Sequence, residues 1–128
     1  MLGKWLLPIL ILLAIFVFSN QGLKGGPEIT VLELKQLLKS QPQPVIIDLR
    51  EPALFNQGHI ESARSVPAQQ LKEKLSLLGL PKMEPIILYA DDEARTREAT
   101  RLLYDQGYGG ALSLKGGIAA WKATMDNR

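Results

Sequence analysis

Two short apolar runs, residues 45–50 and 86–89, constrain the fold of this chain more than any other feature of its sequence. Both are rich in isoleucine and nearly continuous in apolarity, which is typical of strands that are buried on both faces of a parallel sheet. Each run is followed by a polar turn and then by a helical pattern. This alternation of strands and helices predicts an α/β domain whose central parallel sheet is flanked by helices.

Weaker signals assign the segments around these two runs. Thr30 and Glu33 have the spacing of a capping box, which predicts a helix that begins at residue 31. Short apolar runs and helical periodicity predict two more strands and three more helices. These strands are expected at residues 63–66 and 111–114, and these helices at residues 68–78, 93–106 and 118–123.

Residues 1–19 are predicted to form a hydrophobic membrane anchor. Residues 5–18 carry no charge. Their length lies between the roughly 20 residues of a spanning helix and the about 7–15 residues of a signal-peptide core. Trp5 stands where interfacial aromatic residues are common, which favours an uncleaved single-pass helix over a cleaved signal peptide. We expect residues 20–27, which contain three glycines, to form a flexible linker, and residues 28–125 to form the folded domain.

The anchor predicts a membrane location, with the bacterial inner membrane as the expected one. Cleavage as a signal peptide would instead give a secreted or periplasmic protein. Lys4 favours an N-terminus in the cytoplasm, whereas Lys24 favours the reverse orientation. The sequence therefore leaves the face of the membrane open.

Composition excludes several kinds of site. The chain has no cysteine, which excludes disulfides, thiolate metal sites and a cysteine nucleophile of its own.

Its net charge of +2 arises from Lys4 and Lys24, because the residues from 28 onward carry equal numbers of basic and acidic side chains. Nucleic-acid binding needs clustered basic charge, so none is expected. Asp91 and Asp92 without a nearby histidine form a weak metal pattern, and we expect neither a metal nor a cofactor.

Several motifs, in their order and spacing, resemble those of rhodanese-like domains. They are residues 45–52, Gly58-His59-Ile60, Val66-Pro67, residues 86–89, Arg95-Thr96, Gly107-Tyr108 and residues 114–118. The resemblance extends over about residues 28–122. It implies a single rhodanese-like domain, which is a small α/β fold with a central parallel sheet.

The resemblance also implies where an active site would lie. In active members a strand ends on a cysteine that takes up sulfur as a persulfide, backbone N–H groups of the next loop surround this sulfur, and an arginine closes the loop. The matching positions here are Ala90 for the cysteine, Glu93 for the usual glycine and Arg95 for the arginine. We therefore interpret this stretch as a degenerate active-site loop without a catalytic residue. It consists of Ala90, Asp91, Asp92, Glu93, Ala94, Arg95 and Thr96.

Three adjacent acidic residues, Asp91, Asp92 and Glu93, oppose the anionic substrates that the resemblance implies. One interpretation is capping, because a carboxylate at the start of a helix accepts free backbone N–H groups and complements the helix dipole. A second is recognition of a basic partner. An aspartyl nucleophile or a metal site is a third and less favoured alternative.

Three other residues are assigned to structural support. The resemblance implies that Asp48 and Arg50 brace the loops from the end of the first long strand. His59 is the only histidine in the chain. Because it lies in a Gly-His-Ile turn, we interpret it as a hydrogen-bonding residue rather than a catalyst.

Together these features predict a membrane-anchored rhodanese-like domain that is catalytically inactive. It would act as a binding or regulatory module for an unknown protein partner, which is basic or membrane-embedded. The alternative is a sulfurtransferase-related enzyme that uses the acidic loop or a cysteine of its partner. A third hypothesis is a domain that binds a small ligand at the same loop.

Overall fold

A computed structural model describes Ile9 and residues 27–126 of the chain. The predicted anchor, residues 1–19, therefore lies outside the described residues apart from Ile9, and the predicted linker lies outside them apart from Pro27. Within the part that is described, no helix combines the length and the apolar character needed to cross a bilayer.

In the described part of the chain, five strands form one sheet in the order β1-β5-β4-β2-β3. They are β1 (Glu28–Ile29), β2 (Val45–Asp48), β3 (Arg64–Ser65), β4 (Ile86–Tyr89) and β5 (Ala111–Leu114). Every pair of neighbouring strands is parallel. The predicted central parallel sheet is confirmed, and β4 is its middle strand.

The helices follow the strands in alternation, as the sequence pattern predicts. They are α1 (Val31–Leu37), α2 (Pro52–Gln57), α3 (Ala68–Lys74), α4 (Glu93–Asp105) and α5 (Gly117–Asp126), and a 3₁₀ turn (Leu75–Leu77) continues α3. The capping box before α1 is confirmed, since Thr30 Oγ1 accepts a 3.1 Å hydrogen bond from the Glu33 N–H and Glu33 Oε1 accepts a 2.9 Å bond from the Thr30 N–H.

Both faces of the sheet are covered by helices. Leu88 of β4 packs in one apolar cluster with Leu71 of α3 and Leu103 of α4. Its neighbour Ile87 belongs to the cluster on the other face, together with Leu34 of α1. Because successive side chains of a strand alternate between faces, this division explains why the strand sequence is apolar at every position.

Strand β1 is the one element of the sheet that the sequence pattern does not predict. It pairs with β5, and hydrogen bonds from the Ser113 N–H to the Pro27 carbonyl (3.0 Å) and from the Lys115 N–H to the Ile29 carbonyl (2.8 Å) flank this pairing. We call the edge where the strands begin the N-terminal edge and the opposite one the C-terminal edge. Since β1 is parallel to the others, the chain enters the domain at the N-terminal edge.

Candidate functional site

The degenerate loop begins at the C-terminal edge of the middle strand. Ala90 follows β4 directly and is only 1% exposed. Its carbonyl accepts a 3.2 Å hydrogen bond from the N–H of Ile118, near the start of α5. Helix α4 begins at Glu93, so the first three residues of the degenerate loop connect β4 to α4 and its last four form the first turn of α4. This is the place where open α/β sheets commonly hold ligands.

The three acidic residues of the loop are exposed, and two of them have defined contacts. Asp92 is the N-cap of α4, since its Oδ1 accepts a 2.9 Å hydrogen bond from the Ala94 N–H. Glu93 Oε1 accepts a 3.3 Å bond from the Gly116 N–H, and its Oε2 lies 3.7 Å from Nη1 of Arg97. The capping interpretation is thus confirmed for Asp92, whereas Glu93 connects the start of α4 to the turn before α5.

The first residue of α5 approaches the loop so closely that its position strongly favours glycine. Gly117 has a φ of +59°, and a Cβ atom added to it would lie 2.3 Å from the Ala90 carbonyl oxygen. Real side chains never tolerate such a contact, and the left-handed conformation also disfavours any other residue. The start of α5 therefore packs against the backbone from which the loop starts.

Arg95 and Thr96 lie in the first turn of α4 and have different surroundings. Arg95 is exposed and lines a cleft of about 550 Å³ between α3 and α4, beside Lys72 and Glu98. The two ion pairs found within the described residues do not include it. Thr96 is 3% exposed, and its hydroxyl donates a 3.0 Å hydrogen bond to the Asp92 carbonyl.

A buried polar cluster connects the ends of β2 and β4 just before the loop. Asp48, Arg50 and Tyr89 are 0%, 4% and 0% exposed. Asp48 Oδ2 accepts hydrogen bonds from the Tyr89 hydroxyl (2.6 Å) and from Arg50 Nη2 (2.7 Å), and its Oδ1 accepts one from the Arg50 N–H (2.9 Å). Arg50 Nη2 also donates to the Gly58 carbonyl (2.7 Å), and the Ile60 N–H donates to the Tyr89 oxygen (3.1 Å). The cluster thus fixes residues 58–60 against two strands.

The charges of this cluster follow from its hydrogen bonds and burial. The hydrogen bond to Asp48 raises the pKa of Arg50, although burial acts in the opposite direction. Burial, and then the hydrogen bond to Asp48, raises the pKa of Tyr89 above its usual value. At neutral pH the cluster therefore contains one ion pair and a neutral phenol that donates to it. No buried side-chain nitrogen or oxygen in the described residues lacks a hydrogen-bond partner.

His59 lies outside this cluster. It is exposed, its Nδ1 lies 2.8 Å from the Phe55 carbonyl, and its ring stacks on the Phe55 ring with 3.7 Å between centroids. Both contacts are made to α2. The described residues contain no group of three or more His, Asp or Glu side chains that could hold a metal ion.

Sequence reasoning missed Tyr89 as a member of the polar cluster. The residue ends an otherwise aliphatic strand, and the strand pattern includes it among the apolar positions. A tyrosine at a fully buried strand position needs a partner for its hydroxyl, and this requirement is the signal that could have identified it. The contact of Glu93 with Gly116 joins residues that are 23 positions apart and leaves no such signal.

A family model, similar sequences and a similar solved structure were found by comparison with known proteins. A family model described as a rhodanese-like domain matches residues 30–124. A protein named sulfurtransferase from Allochromatium vinosum is 35% identical over 94 residues, which are 73% of this chain and 86% of that protein. The probable adenylyltransferase/sulfurtransferase MoeZ of Mycobacterium tuberculosis is 32% identical over 107 residues, which are 84% of this chain but only 27% of that protein. Among solved structures, that of the Alr3790 protein from Anabaena sp. matches with a TM-score of 0.69 and 34% identity, over 75% of this chain and 77% of that one.

Proposed function

Because this chain belongs to the rhodanese-like family, we propose that it is a membrane-anchored member that has lost sulfur transfer and acts by binding a protein partner. The observation that carries the proposal is Ala90. It occupies the position that the resemblance assigns to the catalytic cysteine, in a chain that contains no cysteine at all.

The side chain of Ala90 cannot act as a nucleophile, an acid or a base. A thiolate is the species that attacks sulfur, and the methyl group of Ala90 has neither a lone pair nor an acidic proton. Two of the three carboxylates that follow it already have structural contacts, since Asp92 caps α4 and Glu93 bonds to Gly116. These contacts argue against Asp92 and Glu93 as nucleophiles in the alternative that uses the acidic loop.

The charge of the loop supports the loss of activity independently. Asp91, Asp92 and Glu93 are exposed at the place where an anionic sulfur donor would have to bind. Two like charges 4 Å apart repel by about 1 kcal/mol even in water. Arg97 faces Glu93 but cannot balance three carboxylates, and Arg95 lines the cleft between α3 and α4.

The same features suit the loop for a basic partner. Asp92 and Glu93 are held by hydrogen bonds at the start of α4, so less side-chain freedom has to be lost on binding. Complementary charges at an interface speed association and select partners. A protein segment rich in lysine or arginine is therefore the partner class that this loop favours.

The membrane location rests on residues 5–18, whose sequence is apolar and uncharged. Such a segment would keep the domain at a membrane and restrict its partners to proteins that are found there. The competing hypothesis, an enzyme completed by a cysteine of its partner, uses the same loop and the same location.

Crosslinking of the full-length chain in its native membrane tests the binding role. The test variant carries Asp91→Asn, Asp92→Asn and Glu93→Gln, which remove the charges but keep the sizes and the cap of α4. The matched control carries Glu73→Gln, Glu84→Gln and Asp105→Asn, which remove the same charge elsewhere on exposed positions.

We expect the wild type and the control to capture the same partner through a basic segment, and the test variant to lose it. Equal capture by all three proteins would contradict the role of the loop. Capture through a cysteine of the partner that lies against the loop would instead favour the enzyme hypothesis.

A further inference from the structure

We propose that the N-terminal edge of the sheet lies against the lipid bilayer, so that the acidic loop at the C-terminal edge faces away from the membrane. This inference rests on the proposed membrane anchor and adds a lipid-contacting surface to it. Exposed apolar side chains, the route of the chain and the distribution of charge each support this orientation.

Large apolar side chains that remain exposed are concentrated at the N-terminal edge. Within residues 27–126 they are Leu32 (72% exposed), Leu77 (82%), Met83 (80%), Tyr104 (46%) and Met125 (47%). Only Leu32 belongs to the first turn of a helix, close to the C-terminal edge. The other four form what we call the apolar edge.

The topology places these four residues together at one end of the domain. A helix that connects two parallel strands has to run back toward the edge where the strands begin, as α3 and α4 do. The final helix, α5, runs the same way, because the Ile118 N–H near its start bonds to the Ala90 carbonyl and the centre of its Trp121 ring lies 5.5 Å from Nζ of Lys35 in the last turn of α1. Leu77 lies in the 3₁₀ turn that continues α3, and Met83 lies between this turn and β4. Tyr104 and Met125 each occupy the last turn of a helix, α4 and α5 respectively.

The segment that carries Met83 is fixed in place. The carbonyl of Lys82 accepts a 2.9 Å hydrogen bond from the Gly109 N–H, and its Nζ donates a 3.1 Å bond to the Gln106 carbonyl. The same Nζ lies 3.9 Å from the centre of the Tyr108 ring. Met83, which is 80% exposed, is therefore held outward beside the end of α4.

The route of the chain brings this edge to the membrane. Residues 19–27 separate the apolar segment from β1, which begins at the N-terminal edge. As the flexible chain that the sequence predicts, a segment of nine residues would span about 16 Å on average. A domain of this size has a radius of gyration of about 13 Å and is roughly 30 Å across, so its far edge lies beyond the usual reach of this linker. The linker thus gives the apolar edge a high effective concentration at the lipid headgroups.

Charge favours the same orientation. Asp91, Asp92, Glu93 and Glu51 are exposed at the C-terminal edge. An anionic membrane surface repels such a loop. At the apolar edge the exposed charges are of both signs, since Lys74 and Lys82 stand beside Glu73, Glu84 and Asp105, so this edge lacks the run of adjacent acidic residues that the loop carries. Tyr104 there presents an aromatic ring with a polar tip. Lysine and tyrosine are typical of the membrane interface because their apolar parts and polar ends suit its two sides.

Single-cysteine labelling tests the orientation cleanly, because the natural chain has no cysteine to interfere. The full-length variants Leu77→Cys, Met83→Cys and Asp91→Cys are labelled with a polarity-sensitive fluorophore. They are then reconstituted into vesicles of phosphatidylcholine and phosphatidylglycerol that contain nitroxide-bearing lipid. All three positions are exposed, so these substitutions are expected to leave the fold intact.

We expect labels at positions 77 and 83 to shift to the blue and to lose emission to the lipid nitroxide, and the label at position 91 to do neither. Equal quenching at the three positions, with the chain floating with the vesicles, would overturn the orientation but not the anchor. A blue shift without lipid quenching would also overturn it, because a second copy or another segment of the chain would then cover the edge. Failure to float would overturn the anchor itself and this inference with it.

Discussion

Tyr89 donates a 2.6 Å hydrogen bond from its phenol to Oδ2 of Asp48, which joins the last residue of β4 to the last residue of β2. Because Ala90 follows Tyr89 directly, this bond fixes the point from which the degenerate loop begins. The support of the loop is therefore intact, although the residue that would use it for sulfur chemistry is missing.

The buried phenol predicts a pH dependence of stability at high pH. The pKa of Tyr89 is raised in the folded state, so folding stabilises the protonated phenol. This stabilisation is complete below the unfolded pKa of about 10 and is lost as the pH rises above it. We expect the free energy of unfolding in urea to fall more steeply between about pH 9 and 11 for the wild type than for Tyr89→Phe.

Tyr104→Phe is the matched control, because Tyr104 is 46% exposed and should leave the steep fall unchanged. At neutral pH, Tyr89→Phe is expected to cost about 1–3 kcal/mol, since Asp48 and the Ile60 N–H each lose a partner. An identical pH profile for the wild type and Tyr89→Phe would show that the phenol does not titrate as described.

The ion pair between Asp48 and Arg50 predicts a large effect of a single substitution. Asp48→Asn leaves the guanidinium of Arg50, which is 4% exposed, without its counter-charge. Removal of one member of a buried pair typically costs about 3–5 kcal/mol. Glu93→Gln removes an exposed partner of Arg97 and should cost less than about 1 kcal/mol. Thermal and urea unfolding of the two variants measure this difference, and similar losses would contradict the structural role of the cluster.

Close packing at the first residue of α5 predicts different losses of stability for two glycine substitutions. Gly117→Ala places a Cβ 2.3 Å from the Ala90 carbonyl, whereas Gly79, with a φ of +63°, has no atom within 4 Å of the added Cβ. Gly79→Ala is expected to cost about 1 kcal/mol from its backbone conformation alone. Gly117→Ala should cost clearly more and should shift the amide NMR signals of residues 90–93. Equal costs would mean that the start of α5 can move away from the loop without penalty.

Local patterns identified most of the fold. The strands at residues 86–89 and 111–114 were predicted with their observed bounds, and the capping box identified the start of α1. These features depend on residues that are close together in the chain. Strand β1 was missed because two residues cannot display a period, and it exists only because β5 offers its hydrogen-bonding edge.

The placement of the loop between β4 and α4 was predicted from the sequence, but its contacts were not. The loop lies directly after β4, and Asp92 is its helix cap. The sequence could not show that Asp48 is bonded to a tyrosine 41 positions away, or that Glu93 bonds to Gly116. Both contacts arise because parallel strands end at the same edge of the sheet, so they depend on the completed topology rather than on local spacing.

Restoring the missing nucleophile provides a test of the acidic loop. We expect Ala90→Cys alone to give little transfer of sulfur from thiosulfate to cyanide, because Asp91, Asp92 and Glu93 oppose both thiolate formation and anion binding. Ala90→Cys combined with Asp91→Asn, Asp92→Asn and Glu93→Gln should be the more active variant and should have the lower thiol pKa, measured by alkylation rate against pH. Full activity of Ala90→Cys alone would show that the acidic residues are no obstacle.

The central claim is that the natural chain performs no sulfur transfer, and a steady-state assay of the purified full-length protein tests it most directly. Thiosulfate and cyanide are supplied, and thiocyanate is measured against the protein-free rate over a range of protein concentrations. The absence of a nucleophile at Ala90 predicts a rate that is indistinguishable from the protein-free one at every concentration. Thiocyanate formation that rises in proportion to the protein, and that persists after repeated purification, would contradict the account.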